Sequence, residues 1–75
     1  MNQVDLDCRG LACPMPIVRL SRAMKELGIG DTLVVTANDP SFKADVEAWA
    51  RRMGQEIASF QDIDGVQTAE LRKSR

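Results

Sequence analysis

Residues 13–27 read CPMPIVRLSRAMKEL and predict a helix that begins directly after a cysteine. Apolar residues recur at steps of three and four, which places them on one helix face. They are Ile17, Leu20, Met24 and Leu27. Pro14 suits the first helical position, and the residue before a proline favours the extended backbone of an N-cap. We therefore predict a helix over residues 14–27 with Cys13 as its N-cap.

This position predicts that Cys13 is an exposed and activated thiol. Its sulfur would lie beside the positive end of the helix with the Met15 N–H within reach, and thiolates are stabilised in such places. Pro16 removes a further N–H donor and, with Pro14, would present the sulfur outward. The alternative is a buried cysteine that serves as packing. The spacing alone leaves both interpretations open.

The composition describes one small domain with free thiols. The 75 residues are 44% hydrophobic and carry a net charge of -1, so we expect a modest core and no global attraction to nucleic acid. The sequence has two cysteines and no secretory signal, which indicates a reducing compartment rather than a disulfide framework. We find no signal peptide or membrane-spanning run and expect a cytoplasmic protein.

Histidine is absent from the sequence. Its absence excludes a Cys-His pair, a Ser-His-Asp triad and a histidine metal ligand within one chain, and two cysteines do not complete a structural zinc site. We therefore expect no metal. Activation of Cys13 would have to come from the helix end and from nearby cations such as Arg9. Such a thiol can hold or pass on a group but lacks a general base for hydrolysis, which favours a carrier over a hydrolase.

A short strand precedes this helix, and a second strand and helix follow it. Val4, Leu6 and Cys8 alternate with charged residues, which predicts a strand with Cys8 in the core; a second sulfur-bearing or resolving thiol is the alternative. Residues 31–38 predict a central strand. Residues 39–40, Asp-Pro, repeat the N-cap and first-position signal for a second helix. Its charged residues are typical of a solvated face; they are Lys43, Asp45, Glu47, Arg51 and Arg52.

Two further strands complete the predicted order βαβαββ. They lie at residues 57–60 and 66–71, with the turn dipeptide Asp64-Gly65 between them. The crossover through the first helix makes the first two strands parallel, and the final hairpin makes the sheet mixed. We predict one α+β domain over residues 1–75, an α/β two-layer sandwich with a four-stranded sheet and both helices on one face. We expect the tail at residues 72–75 to fray.

Residues 6–16, LDCRGLACPMP, resemble the L-D-x-x-G-L-x-C-P-x-P motif of the TusA/SirA family of sulfur carriers. The family's acidic-Asp-Pro motif is similar to residues 38–40, so the resemblance covers nearly the whole chain. Asn38 departs from the pattern, and Cys8 stands at a variable position. The resemblance implies a βαβαββ fold, a Cys13 that accepts sulfane sulfur as a persulfide, and no other cofactor. It also implies a sulfurtransferase-type carrier rather than a stand-alone enzyme.

The resemblance implies partner proteins as well. Family members receive sulfur from a cysteine desulfurase or a rhodanese and pass it to a DsrE-like or other relay protein. The pathways include tRNA thiolation, molybdenum cofactor supply and sulfur oxidation. We expect the partner-binding residues to lie around the thiol and on the first helix, where an ordinary solvated face of cations is the alternative. They are Arg9, Gly10, Leu11, Met15, Arg19 and Arg22.

Two other functions remain open on the residues alone. One is a thiol redox protein that cycles a Cys8–Cys13 disulfide. The other is an RNA-binding or regulatory interaction module, although the near-neutral charge and the lack of an aromatic stripe on any strand argue against it. We expect neither direct nucleic-acid binding nor a membrane partner.

Overall fold

A computed structural model describes residues 2–75, and its elements follow the predicted order βαβαββ. The elements are β1 (Gln3–Asp7), α1 (Met15–Lys25), β2 (Thr32–Ala37), α2 (Phe42–Met53), β3 (Glu56–Ile63) and β4 (Val66–Arg72). The sheet has the strand order β1-β2-β4-β3; β1 is parallel to β2, and β4 is antiparallel to both of its neighbours. The predicted mixed sheet is confirmed. Within residues 2–75, no helix is long and apolar enough to cross a membrane.

Both helices cover the same face of the sheet. Alternate residues of β2 and β4 are buried while most of their neighbours are partly exposed, as expected for a sheet that is covered on one side. The buried side chains of the sheet and of both helices meet in one core. Its largest members include Phe42, Leu20, Leu33, Leu71, Val35 and Val46. Trp49 also belongs to this core, as its place in the apolar stripe of α2 requires.

The start of α1 differs from the prediction by one residue. Pro14, and not Cys13, occupies the N-cap, and the helix begins at Met15. The Met15 N–H donates to the Ala12 carbonyl at 2.8 Å, and Pro16 has no N–H to donate. The first two helical residues therefore offer no free N–H to the Cys13 sulfur. The predicted N-cap role of Cys13 is wrong.

Helix α2 begins two residues later than predicted. Ser41 occupies the N-cap, while the backbone carbonyl of Asp39 accepts the Phe42 N–H at 3.0 Å. The prediction that Asp39 caps this helix is therefore wrong, and its carboxylate is available for other contacts. At the other end, Gly54 adopts a left-handed φ of 69° and ends the helix.

The β3–β4 hairpin turns as the sequence predicts. Asp64 and Gly65 have φ values of 54° and 83°, and positive φ at both central positions is the condition for a type I′ turn. This turn matches the right-handed twist of the two strands that it joins.

Lys73, in the tail that we expected to fray, closes the C-terminal end of α1. Its Nζ donates to the carbonyls of Met24 at 3.0 Å and Leu27 at 2.7 Å, and its N–H donates to the Asp31 carbonyl at 2.9 Å. Carbonyls in the last turn have no intrahelical partner, and a cation is favourable at this end of a helix. The expectation of a frayed tail is wrong.

We predict that Lys73→Met lowers the free energy of unfolding by about 1–2 kcal/mol, because two hydrogen bonds from a charged donor are lost. Urea and thermal unfolding measure the change. The control is Lys25→Met, which removes an exposed cation from the last turn of α1 and should cost less than about 1 kcal/mol. Equal losses in the two variants would contradict the role assigned to Lys73.

Candidate functional site

Cys13 lies in the loop between β1 and α1, and its side chain is exposed. Two contacts fix the start of this loop. The Asp7 carboxylate accepts the backbone N–H and the guanidinium of Arg9 at 3.0 Å. Gly10, at a φ of 85° that other residues rarely adopt, donates its N–H to Asn38 Oδ1 at 3.0 Å. The second contact ties the loop to the end of β2.

Arg9 forms an ion pair with Asp7, and it is not among the groups that shift the pKa of Cys13. The hydrogen bonds from Arg9 lower the pKa of Asp7 to about 2. Both side chains are largely exposed, so the pair contributes little to stability. The prediction that Arg9 activates Cys13 is wrong.

Two carboxylates lie close to the sulfur of Cys13. Cys13 Sγ and one oxygen each of Asp39 and Asp45 all lie within 4.8 Å of one another. Asp45 belongs to the first turn of α2, and Asp39 to the loop before it. Asp39 Oδ2 is buried and has no hydrogen-bond partner among the described residues. Within residues 2–75, neither carboxylate forms an ion pair.

This acidic environment raises the pKa of the Cys13 thiol above its ordinary value. The hydrogen bond from the thiol to Asp45 is the largest cause, followed by desolvation and by the charges of Asp45 and Asp39. Each of these effects favours the neutral thiol over the thiolate. The prediction of a thiol activated by a lowered pKa is therefore wrong.

The Cys13 thiol borders an open cleft of about 230 Å³ between the two helices. The cleft is lined by Cys13, Pro14, Ile17, Asp45, Ala48, Trp49 and Arg52. Most of these side chains are apolar, and the charged groups among them come from α2. The volume leaves space for an additional sulfur atom next to Cys13. Pro16 does not line this cleft; it is fully buried and anchors the first turn of α1.

The two cysteines are free thiols in different environments. Cys8 is 0% exposed in the core, and desolvation raises the pKa of its thiol, so its reactive thiolate form is disfavoured. The predicted core position of Cys8 is confirmed. A disulfide between Cys8 and Cys13 would have to join a buried sulfur to an exposed one.

Cys13, Asp39 and Asp45 also form the only group of three or more possible metal ligands within residues 2–75. They offer one soft sulfur and two hard oxygens, one donor fewer than a closed structural zinc site requires. Metal binding would also require the thiol to lose a proton, which the two carboxylates oppose. We therefore interpret the cluster as the environment of a thiol.

The predicted partner-binding residues are divided between the loop and α1. Arg9 and Gly10 are exposed in the loop, while Leu11 is partly buried against the core. Met15, Arg19 and Arg22 are exposed on α1, and their i, i+4, i+7 spacing places them along one side of the helix. We call these three residues the α1 stripe.

Asp45 is the site residue that sequence analysis missed. Its charge assigned it to a solvated helix face, but it is partly buried and faces the thiol. Asp45, Ala48 and Arg52 recur at i, i+3 and i+7 beside the apolar stripe that contains Trp49, and all three line the cleft. That spacing was the available signal, because it marks the side of α2 that adjoins the core.

The family model described as "Sulfurtransferase TusA" matches residues 4–73. The chain is 34% identical over 61 residues to the sulfur carrier protein TusA of Allochromatium vinosum, which covers 81% of this chain and 80% of that protein. It is 33% identical over 73 residues to the sulfur carrier protein TusA of Pseudomonas entomophila, which covers 97% and 91%.

A crystal structure of a SirA-like protein from Desulfitobacterium hafniense has the same fold, with a TM-score of 0.81, 25% identity and full coverage of both chains. The chain is also 51% identical over 53 residues to the putative sulfur carrier protein YrkF of Bacillus subtilis. This match covers 71% of this chain but only 29% of YrkF. The family match includes the CPMP segment and both helices that form the cleft. The chain therefore belongs to the TusA/SirA family.

Proposed function

We propose that this protein is a sulfur carrier that holds sulfane sulfur as a persulfide on Cys13 and passes it to a partner protein. The observation that supports this most strongly is an exposed thiol beside an open cleft, within the CPMP segment of a TusA family chain. The other cysteine is buried, which leaves one thiol accessible to a donor. The sulfur is held covalently, so the proposal needs no other cofactor.

Loading is an exchange reaction at sulfur, like thiol–disulfide exchange. Cys13 Sγ attacks the outer sulfur of a donor persulfide, and a new S–S bond forms. The original S–S bond breaks, and its electron pair leaves on the donor's cysteine. The transferred sulfur keeps its oxidation state, so no external oxidant is required. Delivery repeats the exchange, with a cysteine of the acceptor attacking the outer sulfur held on Cys13.

The α1 stripe is the surface that we propose for partner docking. Arg19 and Arg22 form no ion pair within residues 2–75, so they can pair with carboxylates of a partner and speed its approach. The donor would be a cysteine desulfurase or a rhodanese, and the acceptor a DsrE-like or other relay protein. tRNA thiolation, molybdenum cofactor supply and sulfur oxidation would use the same thiol. A reducing compartment such as the cytoplasm would keep that thiol free.

The alternative functions have less support. A redox cycle would depend on Cys8, which is buried in the core and whose thiol has a raised pKa. Stacking on nucleic-acid bases needs accessible aromatic side chains, whereas Trp49 and Phe42 are buried and Phe60 is partly buried against the core.

We predict that incubation with a cysteine desulfurase and cysteine adds one or more sulfur atoms, about 32 Da each, to Cys13 alone. Intact mass spectrometry, with and without reductant, measures the gain. Cys13→Ser should fold normally and gain nothing, since no other thiol is exposed.

The matched control is Cys8→Ala, which should still accept sulfur despite a small loss of core packing. A persulfide on Cys13→Ser would contradict the proposal. A loss of two hydrogens that needs both cysteines would show a redox pair instead.

We predict that the double variant Arg19→Glu/Arg22→Glu accepts sulfur from a desulfurase at least about tenfold more slowly at low salt, because charge steering is lost. Uptake from a small persulfide should be unchanged, because that donor needs no docking surface. Arg51→Glu, an exposed charge reversal on α2, is the control. If both donors were slowed equally, the stripe would not be a docking surface.

The raised pKa of Cys13 predicts that its alkylation is slow at neutral pH and speeds up only at alkaline pH. A thiol with a raised pKa stays neutral over a wider pH range, and the thiolate is the reactive form. Iodoacetamide rates across pH, compared between folded Cys8→Ala and the same variant unfolded in urea, measure this. The raised pKa would be refuted if the alkylation rate of the folded protein reached its half-maximal value at the same pH as that of the unfolded chain, or at a lower pH.

A further inference from the structure

The cleft beside Cys13 is one end of a longer groove between the two helices. A second open cleft, of about 150 Å³, lies next to it, and Trp49 lines both. The lining residues of each helix continue from the first cleft to the second along one side of the helix. They are Pro14, Ile17, Ser21, Met24 and Lys25 beside α1, and Asp45, Ala48, Trp49, Arg52 and Met53 on α2. We call the two clefts together the interhelical groove.

Both helices run in the same direction along this groove. Strand β1 is parallel to β2, and β3 also runs parallel to β2 because both are antiparallel to β4. Each helix connects two of these parallel strands and returns across the same face of the sheet. The N-terminal ends of both helices therefore lie at Cys13, and their C-terminal ends lie together at the far end of the groove.

The charge of the groove changes sign along its length. At the thiol end, one carboxylate oxygen each of Asp39 and Asp45 lies within 4.8 Å of Cys13 Sγ. Beyond Asp45, the charged residues that line the groove are all basic: Arg52, Lys25, Lys73 and Arg75. Within residues 2–75, Lys25 and Arg52 form no ion pair. These two cations are therefore free to bind carboxylates of another molecule.

The floor of the groove is apolar. Trp49 lies between the two clefts and is 4% exposed, while Met53 keeps 46% of its surface exposed to solvent. Ile17 is partly buried against the core on the α1 side. An exposed apolar surface with a charged rim is typical of a surface that binds another protein.

We propose that the interhelical groove docks an extended acidic segment of the partner protein, the segment that carries the cysteine with which Cys13 exchanges sulfur. This inference rests on the proposed sulfur-carrier function. The partner's cysteine lies at the thiol end, its apolar side chains pack on Trp49 and Met53, and its carboxylates pair with Arg52 and Lys25. The groove is distinct from the α1 stripe, whose residues do not line it.

The dimensions of the helices determine where the carboxylates of the partner lie. At a rise of about 1.5 Å per residue, Arg52 is about 10 Å beyond Asp45 along α2, and Lys25 is about 16 Å beyond Pro14 along α1. An extended chain spans about 3.3 Å per residue. We therefore expect acidic side chains about three and five residues from the partner's cysteine.

Cations at the end of a helix also offset the helix dipole, and that explanation leads to a different expectation. Arg51 and Arg52 both belong to the last turn of α2, but of the two only Arg52 lines the groove. If both served only the dipole, their effects on an acidic ligand would be equal. A docking site requires them to differ.

The experiment uses synthetic peptides in place of the partner. Acetyl-Ser-Gly-Leu-Glu-Leu-Glu-amide carries serine instead of the reactive cysteine and glutamates at the expected spacing, and the reversed sequence tests the other chain direction. Anisotropy of a dye at the glutamate end measures binding to the unmodified protein at low salt. The emission of Trp49, the only tryptophan of the chain, reports binding in the groove. Because the peptides have no thiol, their binding does not depend on sulfur transfer.

We expect one of the two peptides to bind and to change the emission of Trp49. Arg52→Glu and Lys25→Glu should each weaken its binding by about tenfold or more, since each loses a hydrogen bond between charged groups. The matched control Arg51→Glu makes the same charge change at an exposed neighbouring position and should have little effect. Thermal unfolding checks that all three variants fold.

Two control peptides test the role of the carboxylates. One has glutamine in place of both glutamates, and the other has the same composition with both glutamates next to the serine. We expect each to bind about tenfold more weakly or worse. The first lacks the charges that the cations bind, and the second places its charges beside Asp39 and Asp45.

The absence of binding by either acidic peptide, or equal losses in Arg51→Glu and Arg52→Glu, would overturn the docking site and leave the carrier function intact. A dimer of the unmodified protein in sedimentation that Arg52→Glu abolishes would also overturn it, because a second copy would then occupy the groove. Failure of Cys13 to gain sulfur from a cysteine desulfurase would instead overturn the carrier function, and with it the role of the groove in sulfur exchange.

Discussion

The parallel pairing of β1 with β2 determines where the thiol lies. Because the carboxyl ends of the two strands meet at one edge of the sheet, the loop that follows β1 and the loop that follows β2 must lie side by side. The Cys8 N–H extends this pairing to the Thr36 carbonyl at 2.7 Å, and Asn38 then binds Gly10. Cys13 from the first loop therefore meets Asp39 and the start of α2.

The nearby carboxylates leave the Cys13 thiol exposed to solvent but raise its pKa. An exposed cysteine is open to oxidants and alkylating agents, and its thiolate is the form that they attack. The carboxylates of Asp45 and Asp39 favour the neutral form of Cys13 by raising the pKa of its thiol, which would slow such reactions. In the proposed carrier, the sulfur that reacts would therefore lie within 4.8 Å of two carboxylate oxygens.

Local sequence patterns predicted much of the fold but not the charge around the thiol. The element order, the buried Cys8, the exposed Cys13 and the turn at residues 64–65 follow from hydrophobic periodicity and from turn residues. The cap at Pro14 differs by one residue because the Ala12 carbonyl takes the Met15 N–H. The place of Asp45 could not follow from a local pattern, since it depends on how α2 packs beside a loop 32 residues earlier in the sequence.

The most direct test is nuclear magnetic resonance of the protein with ¹³C-labelled cysteine, before and after addition of a persulfide donor and then of reductant. It observes both thiols in the intact chain. We predict that the Cβ signal of Cys13 moves on loading and returns on reduction, while that of Cys8 stays in place. A shift of the Cys8 signal, or an unchanged Cys13 signal in a protein that has gained sulfur by mass, would contradict it.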